Sequence, residues 1–140
     1  MSALERLGLV VLYDQLSRHM FRNTAAAFAT DAAALAIANQ LLTTGALEEL
    51  TPEQQRFALM PLEHSESLAD KDTLIRYAEE QLDGAEGSTA KLWRAAIEQA
   101  RKHRAVLEGF GRYPKRNDAL GRSSTVEEKE YIASRRNRHY

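Results

Sequence analysis

From Phe110 to Arg122 the chain reads Phe-Gly-Arg-Tyr-Pro-Lys-Arg-Asn-Asp-Ala-Leu-Gly-Arg, which places Arg112, Lys115, Arg116 and Arg122 within thirteen residues. Gly111, Pro114 and Gly121 preclude one continuous helix there, so the segment reads as an irregular, glycine-punctuated loop carrying four positive charges. Such a loop suits oxyanions. Guanidinium forks donate in pairs to phosphate or carboxylate, and glycine lets backbone amides come close to a ligand. Asn117 adds a neutral polar group, while Asp118 is the only acid inside the loop. Either a bound anion or carboxylates from elsewhere must therefore offset the charge.

Three further polar groups fall where an apolar core is expected. Projected at 100° per residue, Leu4, Leu7, Val11, Asp14 and Arg18 share an arc of about 80°, which puts an acid and a base on the apolar stripe of the first helix. Leu9, Leu12 and Leu16 lie opposite, so this helix is expected to be buried all round. Asp14 and Arg18, four residues apart, should pair, with Gln15 beside them and Arg22 one turn further on. His103 projects among Leu92, Ala96, Val106, Leu107 and Phe110. The third group is His64-Ser65-Glu66, just after Pro61, with Asp70 following. As capping chemistry, Ser65, Glu66 and Asp70 simply open a helix. As acid–base chemistry, His64 or His103 would carry the proton and Glu66 or Asp70 would orient it.

His64, Glu66, Asp70 and His103 could together offer nitrogen and oxygen donors to a metal, but their spacing does not demand it, and neither metal nor cofactor is expected. Ser65, His103 and Asp70 could be written as a triad, yet no nucleophile elbow surrounds the serine. Phosphate loops, dinucleotide fingerprints and HExxH are absent.

The elements that position these groups are helices. Periodicity is helical nearly throughout and β-branched residues are scarce, which defines an all-α class. Helices are expected over about Ala3–His19 and Thr30–Leu42, the latter closed by Gly45, with Met20–Ala29 as their junction. Thr51-Pro52-Glu53-Gln54 is a capping box with proline at the first helical position and opens a third helix, which Pro61 should break. A turn Leu62–Ser65 leads to a fourth, ending near Leu82. Gly84–Gly87 links it to a long fifth from Ser88 to Glu108, and the capping box at Thr125 and Glu128 opens a last one before the basic tail Arg135–Tyr140. Short links between consecutive helices predict antiparallel helical hairpins, an array or bundle of about five to six helices in a single domain over residues 1–140.

The chain is 44% hydrophobic and 28% charged with a formal net charge of −1, so overall charge gives no argument for nucleic acid or membrane. Seven bases against two acids between Arg101 and Arg122 make that stretch electropositive, but exposed aromatics are not interleaved with them, which argues against nucleic-acid binding. There is no cysteine, and the N-terminus shows neither a signal-peptide pattern nor a run of eighteen apolar residues. A cytoplasmic protein that crosses no membrane is the expectation.

Several stretches resemble a known family: Val11-Leu12-Tyr13-Asp14-Gln15-Leu16-Ser17-Arg18, Phe21-Arg22, Ala27-Phe28-Ala29-Thr30-Asp31, Pro61-Leu62-Glu63-His64-Ser65-Glu66, and Phe110-Gly111-Arg112-Tyr113-Pro114 through Leu120-Gly121-Arg122 with Thr125. They look like the bacterial "domain of unknown function 924" family over nearly the whole chain. The resemblance implies an all-helical, tetratricopeptide-repeat-like domain and no particular reaction. It also implies a further N-terminal helical segment rich in Trp and Phe that this chain lacks, so one wall of any groove is expected to be missing. An apolar patch left there would favour homo-oligomers. Ser17 stands where the family often has proline, and Lys115 where it often has histidine.

Two functional readings follow. The first is a binding domain whose inner face joins Asp14, Gln15, Arg18, Arg22, His64, Glu66 and His103 to the loop's Arg112, Lys115, Arg116, Asn117 and Arg122, with a small anionic ligand or an acidic peptide end as partner. In its version without any ligand, Arg18, Arg22, Arg112 and Arg116 pair with Asp14, Asp31 and Glu66 and act as struts. The second is an enzyme that uses a histidine and the arginine cluster on a phosphoester or acyl substrate.

Overall fold

Ser2 starts the first helical rod with a reciprocal cap: its Oγ accepts from the Glu5 amide at 3.1 Å while its own amide donates to the Glu5 carboxylate at 2.6 Å. In this computed structural model, which describes residues 1–135, the rod comprises α1 (Ala3–Val10), a π-helical stretch (Val11–Leu16) and α2 (Ser17–Met20). A π turn takes in an extra residue and re-aims the side chains it carries. The one it buries is Asp14.

The rod is not buried all round. Ala3, Leu7, Val10 and Asp14 face inward, whereas Leu4, Leu12, Leu16 and Met20 are exposed. The reason is geometric, because α3 and α4 pack against the rod from its inner side and leave the outer side to solvent.

A 3₁₀ turn (Ala25–Phe28) leads into α3 (Asp31–Thr43). Gly45, at φ 73°, turns the chain out of that helix as its sequence position required. Residues Ala25–Thr43, a stretch of 19, are long and apolar enough by length and composition to cross a membrane, with a mean hydropathy of 1.3 in an 18-residue window. Asp31 sits in the middle of that stretch and pairs with Arg18, while Ala34, Ala38 and Leu41 are buried in the protein.

After a second 3₁₀ turn (Ala46–Glu49), Thr51 and Gln54 cap α4 (Pro52–Ala58) reciprocally. Pro61 does not mark the break. The interruption falls at Leu59, and Pro61 lies in the first turn of α5 (Met60–His64), where a missing amide hydrogen costs little. The segment expected as a turn is therefore mostly helical.

Helices α6 (Leu68–Leu82) and α7 (Gly87–Phe110) form a long hairpin across a four-residue link. Leu74 and Ala78 of α6 meet Trp93, Ala96, Ile97 and Ala100 of α7, and Leu41, Leu47, Leu59 and Leu62 complete the core. Of the apolar face expected for α7, Ala96 and Leu107 are buried, whereas Leu92, Val106 and Phe110 are half-buried. Trp93 and Ile97, one residue off that face, fill the space because α6 approaches from their side.

Beyond Gly111 the expected irregular loop is ordered. It contains a 3₁₀ turn (Pro114–Arg116) and α8 (Asn117–Leu120), bounded by left-handed Gly111 and Gly121 at φ 73° and 66°. Thr125 and Glu128 form the expected capping box of α9 (Val126–Ser134). The basic tail past Arg135 lies outside the described residues. Among the described residues all regular structure is helical.

Candidate functional site

Asp14 is the hub. Its buried carboxylate accepts from Arg18 at 3.0 Å, from its neighbour Gln15 at 2.6 Å, and meets His64 Nδ1 at 2.8 Å. Burial alone would raise the Asp14 carboxyl. The hydrogen bond from His64 and the charge of Arg18 outweigh it and hold the group below the ordinary carboxylate value. Arg18 also forks onto Asp31 at 2.8 and 3.0 Å, which ties the rod to the start of α3. The pairing predicted within the rod is thus present and extended by one further acid.

The loop arginines divide by their partners. Arg112 forks onto Glu128 at 2.9 and 2.8 Å and donates to the Ser123 carbonyl, clamping α9. This pairing and the amide of Thr125 hold the Glu128 carboxyl well below the ordinary range. Arg122 forks onto Glu66 at 2.8 and 3.2 Å and also reaches the carbonyl of Tyr113 and the side chain of Asn117. The Tyr113 amide donates to the same Glu66 at 2.6 Å. Burial raises the Glu66 carboxyl, but these donors bring it below its ordinary value.

The loop therefore does not lack acids, since Glu128 and Glu66 come to it from other elements. Nor do its glycines offer amides to a ligand, because the Gly111 and Gly121 N–H groups donate to Leu107 and Asp118 carbonyls.

Arg116 is different. Its guanidinium lies between the rings of Phe28 and Tyr113, 4.8 Å from each centroid. The hydrogen bond it makes is to the His64 carbonyl, at 2.6 Å, and Asp31 stands off at 3.9 Å. Of five N–H donors in its fork most have no acceptor among the described residues. Burial, then the like charge of Arg18, lowers its pKa.

A small cleft of about 140 Å³ opens beside it, lined by Asp14, Asp31, His64, Ser65, Glu66 and Arg116 together with apolar Ala32, Leu35 and Pro61. His64 is 19% exposed there, and its Nε2 makes no hydrogen bond among the described residues. A wider groove of about 580 Å³ runs along α6 and α7, where Arg101 pairs with Glu79 and Lys102 with Glu98, and Arg94 also lines it.

Lys71 underlies the cleft. It is fully buried, and its Nζ donates to the carbonyls of Leu62 and Ser65, on either side of His64. Burial brings its pKa down to about 8. Ser65 Oγ donates to Asp70 at 2.5 Å, and the N-cap of α6 is Ser67 rather than Ser65.

Of the residues expected to form a site, Asp14, Gln15, Arg18, His64, Glu66, Arg116, Asn117 and Arg122 do join one continuous network. Arg112 meets that network only at its far edge, through Glu128, which also accepts from Asn117, and it serves α9, while Arg22 and Lys115 are exposed. His103 lies edge-on to Tyr113 with centroids 5.7 Å apart, and burial lowers its pKa. The acid that orients His64 is Asp14, not Glu66 or Asp70, because Arg122 and Ser65 engage those two. Among the described residues no three acids or histidines gather as a metal-binding group.

Lys71, Phe28 and Tyr113 were not expected at the site, nor was the pairing of the capping residue Glu128 with Arg112. Lys71 was detectable, since it shares an α6 face with Leu74 and Ala78 as Asp14 shares one with Leu7. The rings that sandwich Arg116 come from segments without helical periodicity and left no such signal.

The chain belongs to the DUF924 family, described as bacterial protein of unknown function, whose match spans residues 1–135. It is similar to a solved protein of unknown function from Agrobacterium tumefaciens, with a TM-score of 0.78 and 29% identity over 95% of this chain and 69% of that one. No curated protein matches.

Proposed function

We propose that the chain is a helical binding domain whose ligand presents a small anionic group to the cleft between Arg116 and His64. One observation carries the reading: the guanidinium with unengaged donors and the histidine with an unengaged ring nitrogen line the same cleft. Arg112 and Arg122 have their own acids, so they belong to the scaffold that shapes the site. The two aromatic faces hold the Arg116 fork in place before any ligand arrives, which lowers the entropic cost of binding.

Thermal melts with added acetate or sulfate at constant ionic strength test this. Stabilisation of the parent but not of Arg116→Met supports the site; equal responses, or none in the parent, overturn it.

A second reading rests on the 2.8 Å contact between Asp14 and His64. A carboxylate on Nδ1 orients an imidazole for proton transfer at Nε2, so an enzyme using His64 as acid–base and Arg116 to stabilise an oxyanion is the alternative. Hydrolysis of small phosphoesters or acyl esters that is lost in His64→Gln would favour it.

A further inference from the structure

The elements packed around His64 bring a definite set of charges. The rod supplies Asp14 and Arg18, α3 supplies Asp31, the α5–α6 link supplies Glu66, and the segment after Gly111 supplies Arg116 and Arg122. Three acids offset three bases. Behind them Glu63 pairs with Arg56, and Asp70 faces Lys71. Burial favours the neutral forms of His103 and Tyr113. The surroundings are therefore balanced while the His64 imidazole is neutral, and carry one excess positive charge once it is protonated.

Protonation also changes what His64 offers. With Nδ1 directed at Asp14, the neutral ring presents a lone pair at Nε2 to the cleft, which repels an anion. The imidazolium presents an N–H instead. One positive charge is cancelled by a monoanion, whereas a dianion would leave an excess negative charge beside Asp14, Asp31 and Glu66, in a recess where screening is weak.

Shape points the same way. The flat fork of Arg116 between two rings matches a planar carboxylate, and Ala32, Leu35 and Pro61 match a short apolar stem. At about 140 Å³ the cleft is smaller than the ~300–1,000 Å³ of pockets that engulf whole metabolites, so it admits a single group.

Building on the reading of the cleft as an anion site, we propose that its ligand is a monocarboxylate taken up together with one proton on His64, and that dianions are rejected.

Calorimetric titration of the full chain with acetate and with sulfate, at matched ionic strength between about pH 5 and 8, tests this in buffers of different ionisation enthalpy. Binding of acetate is expected to take up protons, so that its affinity falls as pH rises. Sulfate should bind at least about tenfold more weakly than acetate, the weight of one adverse interaction of about 1.4 kcal/mol. In His64→Gln, which keeps a neutral donor, the pH dependence should vanish.

Acetate affinity that is flat with pH in the parent, or sulfate binding as tightly as acetate, would overturn the monocarboxylate inference and leave the anion site standing. Silence of the parent toward both anions would overturn the anion site and this inference with it.

Discussion

His64 Nδ1 lies 2.8 Å from Asp14 Oδ1, across 50 residues of sequence. This contact joins the end of α5 to the π-helical part of the rod and fixes which ring nitrogen meets the cleft. Gln15 and Arg18 donate to the same carboxylate, so three side-chain donors occupy most of its acceptor positions. A buried acid with this many donors is a structural group and an orienting group at once.

Asp14→Ala should lower stability by about 3 kcal/mol at neutral pH, because it strands the donors of Gln15 and His64 as well as losing the ion pair. Arg18 keeps Asp31, which limits the loss. Urea unfolding measures it; a loss below about 1 kcal/mol would mean that water replaces the carboxylate readily.

Acid should weaken the fold through the same groups. Asp14 and Glu66 have folded-state values below their ordinary 3.8 and 4.5, so the stability they add is complete above those values and disappears as pH falls through the lowered ones. Glu66→Gln should therefore be less stable than the parent at neutral pH and lose less on acidification. Denaturant melts from neutrality down through pH 4.5 and 3.8 compare the slopes. Parallel slopes would exclude Glu66 as a source of the acid sensitivity.

Lys71 gives the opposite limb. Its folded-state value of about 8 lies below the ordinary 10.5, so between those values the unfolded chain binds more protons and stability rises with pH. The rise should amount to roughly 2–3 kcal/mol over that range. Tyr77, raised by burial to about 12, works against it at the upper end, so the comparison is with Lys71→Met, in which the rise should be missing. Melts at pH 8 and 10 decide the matter, and a parent whose stability is flat or falling in that window would show that the buried amine is solvated.

The fold was largely legible because its signals are local. Capping boxes at Thr51 and Thr125, Gly45 after α3 and the long period of α7 each fix an element from adjacent residues. Asp14 and Arg18 were legible as an inward pair for the same reason, being one turn apart. The partners of the loop were not. Glu66 lies 56 residues from Arg122, and Phe28 reaches Arg116 from a 3₁₀ turn, so only tertiary packing brings them together. The wheel also failed on the outer side of the rod, where Leu12 and Leu16 signalled burial and no element covers them. Periodicity reports which faces are apolar; it does not report how many faces the other helices reach.

Arg112 and Arg116, four residues apart in one basic segment, should respond to substitution in opposite ways. Arg112 spends its fork on Glu128, at the capping box of α9, and on the Ser123 carbonyl just before it. Arg112→Met should thus loosen the segment from Ser123 to Ser134, seen as faster amide hydrogen exchange there, while the thermal response to acetate stays as in the parent. Arg116 has two rings, one carbonyl and, at 3.9 Å, Asp31 for partners. Arg116→Met keeps an apolar body between Phe28 and Tyr113, so α9 should stay protected, whereas the response to acetate should vanish. A common outcome for the two variants, either both loosening α9 or both abolishing the anion response, would mean that the segment acts as one charged unit and that the division between strut and site is wrong.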